Sequence, residues 1–85
     1  MTNQIFHKVK SVSPQEDLNL LVVFVDGATR LYDVKQMFDK HPVFEKLKDE
    51  KLFSEVKIDL GGCGISWNDD IDIACDELFY NSKSL

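Results

Sequence analysis

The amino-acid sequence predicts an α+β domain: an antiparallel or mixed sheet of four to five strands, with short helices inserted after the third strand and one C-terminal helical turn. Three observations carry this. A run of branched apolar residues, LNLLVVFV (Leu18 to Val25), ends directly in Asp26-Gly27, the strongest short hairpin signal, because Gly and Asp tolerate the positive φ of a tight turn. Two helix-start patterns, at Asp33 and Pro42, stand together in the middle of the chain. After them apolar residues recur at a period of two, as a half-buried strand requires. Hairpin-linked strands with the helices gathered between them define the class.

Taken in order, Ile5 to Val12 shows the ragged alternation of a partly exposed first strand, and Pro14 to Asp17 turns the chain. Leu18 to Val25 is apolar on both faces and reads as a central strand covered on both sides. TRLYD returns antiparallel after the Asp26-Gly27 turn. Asp33 stands as an N-cap with Gln36 three residues on, completing a capping box, and Val34, Met37 and Phe38 supply an apolar stripe. His41-Pro42 breaks this helix, since the residue before proline is driven out of the helical region, and Pro42 opens a second one bearing Val43, Phe44 and Leu47. DEKLFSE adds one more turn. Val56, Ile58 and Leu60 then alternate with Lys57 and Asp59 as a half-buried strand. Gly61, Gly62 and Gly64 make a turn, Ile65 to Trp67 form a return strand, Ile71 and Ile73 alternate with Asp70 and Asp72, and Asp76 caps a last helical turn bearing Leu78 and Phe79.

The 85 residues read as one domain, 1–85, without linker or repeat. A chain of this size buries only roughly 60–65% of its unfolded surface, so its stability is expected to be modest. The longest apolar run, Leu20 to Val25, is far shorter than the roughly 20 residues that span a bilayer, and MTNQ does not begin a signal peptide. Cys63 and Cys75 form no CxxC motif and no disulfide framework. These features read as a soluble, cytoplasmic protein without membrane association. Net charge is −5, unevenly placed: residues 58–85 hold six acidic residues (Asp59, Asp69, Asp70, Asp72, Asp76, Glu77) against Lys83 alone, while residues 1–57 hold nine of each sign. That acidic third repels a polyanion, which argues against nucleic-acid binding by this domain alone.

The acidic knot in ISWNDDIDIACDELFYN is the feature to weigh chemically. Asn68, Asp70 and Asp72 copy the first three ligand positions of a calcium loop, but Ile73 stands where that loop needs glycine and Phe79 where it needs a bidentate Glu. A solvated strand face accounts for the spacing, with Arg30, the one arginine, as a partner inside the domain or across an interface. A glycosidase-like carboxylate pair needs a cleft that so short a chain has little room to build. GGCGI lacks the lysine and following helix of a phosphate loop and reads as a hairpin turn. Cys63 has no histidine near it in sequence, so it reads as an inert thiol. His7 fits a semi-buried strand position and His41 marks the break before Pro42; with two cysteines they match no zinc pattern. Trp67 is a core plug on grounds of size, or else an exposed partner hot spot.

As an ordered set, LNLLVVFVDGATRLYDV, FEKLKDEKLFSEVKID and ISWNDDIDIACDELFYN resemble domain-of-unknown-function family 2442, small prokaryotic proteins. The family outline falls on Phe24, Asp26, Gly27, Tyr32, Asp33, Phe44, Leu47, Phe53, Trp67, Asp72, Ile73, Leu78 and, shifted in type, Phe79. Asn68 departs from a frequent proline after the Trp, and Cys75 from a Pro or Ser before the last helix. The resemblance brings no established activity with it, in agreement with the lack of a catalytic constellation in the sequence. Some relatives are joined to helix-turn-helix domains and others are encoded in toxin–antitoxin-like pairs, which implies an interaction or ligand-sensing module.

The sequence therefore points to a non-enzymatic protein-interaction module, antitoxin-like or the regulatory half of a two-gene pair. Its candidate partner surface is Trp67, Asp69, Asp70, Asp72 and Glu77, facing a small basic protein; no catalytic, metal or cofactor residues are assigned. The alternatives are a homo-oligomeric structural or ligand-sensing domain, with a second copy on one face of Leu18 to Val25, and a small metal-dependent hydrolase using the Asp cluster.

Overall fold

The computed structural model describes residues 7–85. Its seven strands are β1 (Val9–Pro14), β2 (Asn19–Phe24), β3 (Thr29–Asp33), β4 (Lys57–Ile58), β5 (Gly64–Asn68), β6 (Ile71–Ala74) and β7 (Lys83–Ser84). The helices are α1 (Glu50–Phe53) and α2 (Cys75–Tyr80), with 3₁₀ segments at Glu16–Leu18, Val34–Met37, Pro42–Lys48 and Leu60–Gly62. The α+β class and the antiparallel pairing are as expected. The strands, however, divide between two sheets: a four-stranded one in the order β1-β2-β3-β7 and a three-stranded one in the order β4-β5-β6.

β2 is central in the larger sheet, but it is covered on one face only. Leu20, Val22 and Phe24 are fully buried while Leu21 and Val23, pointing the other way, are half-exposed. The apolar run is therefore not a strand sandwiched on both sides, and Val25, past its end, is 63% exposed. β1 runs from Val9 to Pro14; the start expected at Ile5 lies outside the described residues. Pro14 is tolerated because β1 is an edge strand. The β2–β3 connection is Val25 to Ala28, with Gly27 at φ +96° and the Ala28 N–H bonded to the Asp26 carboxylate. This is the turn that Asp-Gly announces.

Asp33 caps the first 3₁₀ segment by accepting from the Lys35 N–H at 2.9 Å, and the Gln36 amide returns to the Asp33 carbonyl at 2.8 Å. His41-Pro42 breaks the path as expected, Pro42 opening the next segment. Asp49 repeats the cap for α1, accepting from the Lys51 N–H at 3.0 Å.

Two local expectations fail. The alternation Val56, Ile58, Leu60 yields a strand of only two residues, and Leu60 is 98% exposed. The chain leaves the ladder there because the turn at 60–62, with Gly61 and Gly62 at positive φ, begins at once. Nor does Asp76 cap the last helix: α2 starts two residues early, its N-cap is Ala74, and Asp76 lies in the first turn. One hydrophobic core serves both sheets, joining Leu20, Val22, Phe24 and Tyr32 to Ile65, Trp67, Ile71, Ile73 and Leu78.

Candidate functional site

The acidic hairpin is β5–β6. Its tip is fixed by Asn68, whose side-chain oxygen accepts from the Asp70 N–H at 2.9 Å and the Ile71 N–H at 3.1 Å, a local turn that asparagine is suited to make. Asn68 is thus occupied with the backbone, as a turn former rather than a metal ligand. Ile71 and Ile73 point into the core while Asp72 points out, so the period of two that sequence suggests is real here. Asp69, Asp70 and Asp72 are exposed, and among the described residues none is in an ion pair. No group of three or more His, Cys, Asp or Glu side chains among the described residues is placed to hold a metal ion.

Two members of the expected surface turn inward. Trp67 is 5% exposed, packs on Phe53 and Phe44, and donates its indole N–H to the Phe53 carbonyl at 3.0 Å. It is a core residue and leaves the candidate surface. Glu77 is half-buried because it accepts from the Tyr32 hydroxyl at 2.8 Å and the Asn81 amide at 2.7 Å. Burial, then the hydrogen bond and charge of Glu77, then the charge of Asp33, hold the Tyr32 hydroxyl well above the usual tyrosine range. Glu77 is therefore a structural acceptor that ties α2 to β3.

Arg30 does not neutralise the hairpin either. It donates to the Ser82 hydroxyl at 2.7 Å and the Ser82 carbonyl at 2.9 Å, and its guanidinium lies 4.7 Å from the centre of the Phe79 ring. His7 is buried: its ring stacks on Phe79 at 3.6 Å and shares a hydrogen bond with the Tyr80 hydroxyl. Neither His7 nor His41 bonds to Cys63 among the described residues, so no nucleophile–base pair forms there.

What sequence reading missed is a cleft. Asp70 and Asp72 form one wall of a depression of about 200 Å³ whose other lining is Met37, His41, Val43 and Phe44. Carboxylates on the hairpin thus meet an apolar floor contributed by the 3₁₀ segments. A larger groove of about 470 Å³ holds Asp17, Asp33 and Lys83, but its carboxylates are already answered by Lys35, at 3.2 Å from Asp17 and 3.0 Å from Asp33. Burial opposes charge on Lys35, yet the bonds to Asp33 and Asp17 outweigh it and raise the ammonium's pKa. The smaller cleft combines apolar lining with carboxylates that are in no ion pair among the described residues, and a depression of about 340 Å³ likewise sets Glu16 and Glu50 beside Leu18, Leu47 and Phe53.

A small α+β domain of two antiparallel sheets with an acidic hairpin is the class that this geometry defines. Residues 9–84 match the family described as "Protein of unknown function (DUF2442)", and the chain belongs to that family. No curated protein and no solved structure matches the chain.

Proposed function

We propose that this domain is a non-enzymatic protein-interaction module that engages a basic partner through the β5–β6 hairpin, as the regulatory half of a two-protein pair. The observation that supports this is the cleft: Asp70 and Asp72, in no ion pair among the described residues, stand beside Met37, Val43 and Phe44. A lysine or arginine side chain matches both halves of such a cleft, with its methylene stem on the apolar floor and its charge on the carboxylates. Asp69, exposed at the tip, adds to the field that draws the partner in.

The test is capture from native cells at low salt with tagged protein, followed by titration of the recovered protein against wild type and the Asp69→Asn, Asp70→Asn, Asp72→Asn triple variant. Wild-type affinity should fall with salt, and the triple variant should bind at least roughly tenfold more weakly. Equal affinity for the two proteins overturns the reading.

A second reading has one observation in its favour. On the open face of the larger sheet, Leu21 stands opposite Leu31 and beside Val23, all half-exposed. A second copy covering this stripe would make the domain a homo-oligomeric scaffold. Sedimentation showing a monomer at micromolar concentration removes it.

A further inference from the structure

Sequence spacing leaves the two cysteines unrelated, whereas the sheet opposes them. In the β5–β6 ladder Gly64 pairs with Ala74, Ile65 with Ile73 and Ser66 with Asp72, and Cys63 and Cys75 follow directly outside its last pair, Cys63 ending the turn and Cys75 opening α2. The backbone still joins the two there, for the Cys75 N–H donates to the Cys63 carbonyl at 3.0 Å. Such a bond limits the Cα separation to about 7 Å, since the flanking N–Cα and Cα···O spans add only about 1.5 and 2.4 Å. That ceiling adjoins the roughly 4.4–6.8 Å that a disulfide bridges. Both thiols are free, Cys63 exposed and Cys75 buried. Burial chiefly raises the Cys75 thiol, and the charges of Asp76 and of Cys63 itself raise it further.

We propose that Cys63 and Cys75 are an oxidisable pair, a modification site at which a hydroperoxide closes an intramolecular disulfide across the base of the acidic hairpin. The exposed Cys63 thiolate attacks the peroxide: an S–O bond forms, the O–O bond breaks, and the departing hydroxide takes up a proton to leave as water. Cys75, as thiolate, then attacks the sulfenic sulfur of Cys63. The S–S bond forms, the S–O bond breaks, and the second oxygen leaves as water after taking the Cys75 proton. Two thiols lose two electrons and the peroxide gains them. The bridge closes the chain from 63 to 75 around Asp69, Asp70 and Asp72, and it stands whether or not those carboxylates bind a partner.

The test uses the full reduced chain and hydrogen peroxide. After near-stoichiometric treatment the intact mass should fall by two hydrogens and both thiols should resist alkylation under denaturing conditions. Cleavage at the aspartates of 69–72 should give Cys63 and Cys75 peptides joined until a thiol reductant is added. In a glutathione redox buffer, the equilibrium constant for bridge formation should be about tenfold larger for the native chain than for the chain in urea, because a bridge that fits the fold is favoured by it. Over-oxidised Cys63 or a Cys63-linked dimer, with Cys75 still open to alkylation, overturns the proposal. So does a native constant equal to or below the unfolded one, which would mean that the fold resists the bridge.

Discussion

Replacing Trp67 by Phe keeps most of the ring volume and removes the N–H that satisfies the Phe53 carbonyl. The cost is therefore a buried acceptor left bare plus a small void, about 2–4 kcal/mol in all. Urea unfolding followed by circular dichroism measures it, since the variant loses the chain's one tryptophan; a loss below about 1 kcal/mol would mean that the indole is not held as described. Gly62 and Gly27 give a sharper contrast, because both have positive φ but only one is crowded. A Cβ on Gly62 would lie 2.9 Å from the Val9 carbonyl oxygen, whereas one on Gly27 would meet nothing within 4 Å. Gly27→Ala should cost only the backbone strain, about 1 kcal/mol, and Gly62→Ala distinctly more, because the turn must back away from β1. Equal losses in urea unfolding would contradict that close approach.

Capping separates elements that look alike in sequence. Asp33 accepts from a helix N–H and pairs with Lys35, whereas Asp76 has no capping bond. Asp33→Ala should therefore lower stability by about 1 kcal/mol and Asp76→Ala by a few tenths, read from thermal or urea midpoints. A larger loss at Asp76 would restore it as a cap. The same contrast shows what sequence can and cannot reveal. The Asp26-Gly27 turn, the His41-Pro42 break and the cap at Asp33 were legible because each is decided within a few residues. The span Val56 to Leu60 misled because alternation gives the spacing of a strand but not whether anything covers its apolar side; at an edge that lasts two residues, nothing covers Leu60. At the site, the exposed carboxylates followed from charge placement alone. The inward turn of Glu77 and the diversion of Arg30 did not, since their partners Tyr32 and Ser82 are distant in sequence. The Cys63–Cys75 opposition is likewise a product of register, which no local motif announces.

At the scale of the whole molecule, the groups with displaced protonation equilibria all act on the same side of the pH scale. Cys75, Tyr32 and Lys35 are raised from ordinary values of 9.0, 10.0 and 10.5. The native state therefore holds each of these protons more tightly than the unfolded chain does. Their contribution is complete below the unfolded values and is lost as pH rises through the folded ones, so stability should decline above about pH 9. Lys35 counts least, since its ion pairs are at the surface and screened. Tyr32, fully buried and bonded to Glu77, counts most. Tyr32→Phe isolates it: near pH 7 the variant should be less stable by about 1 kcal/mol, for the lost hydrogen bond, but its alkaline decline should be shallower. The two stability curves, from urea unfolding between pH 7 and 11 under reducing conditions, should thus converge or cross on the alkaline side. Parallel curves would show that the Tyr32 proton is not what ties α2 to the larger sheet, and that the link rests on the remaining contacts of Arg30 with Ser82 and Phe79.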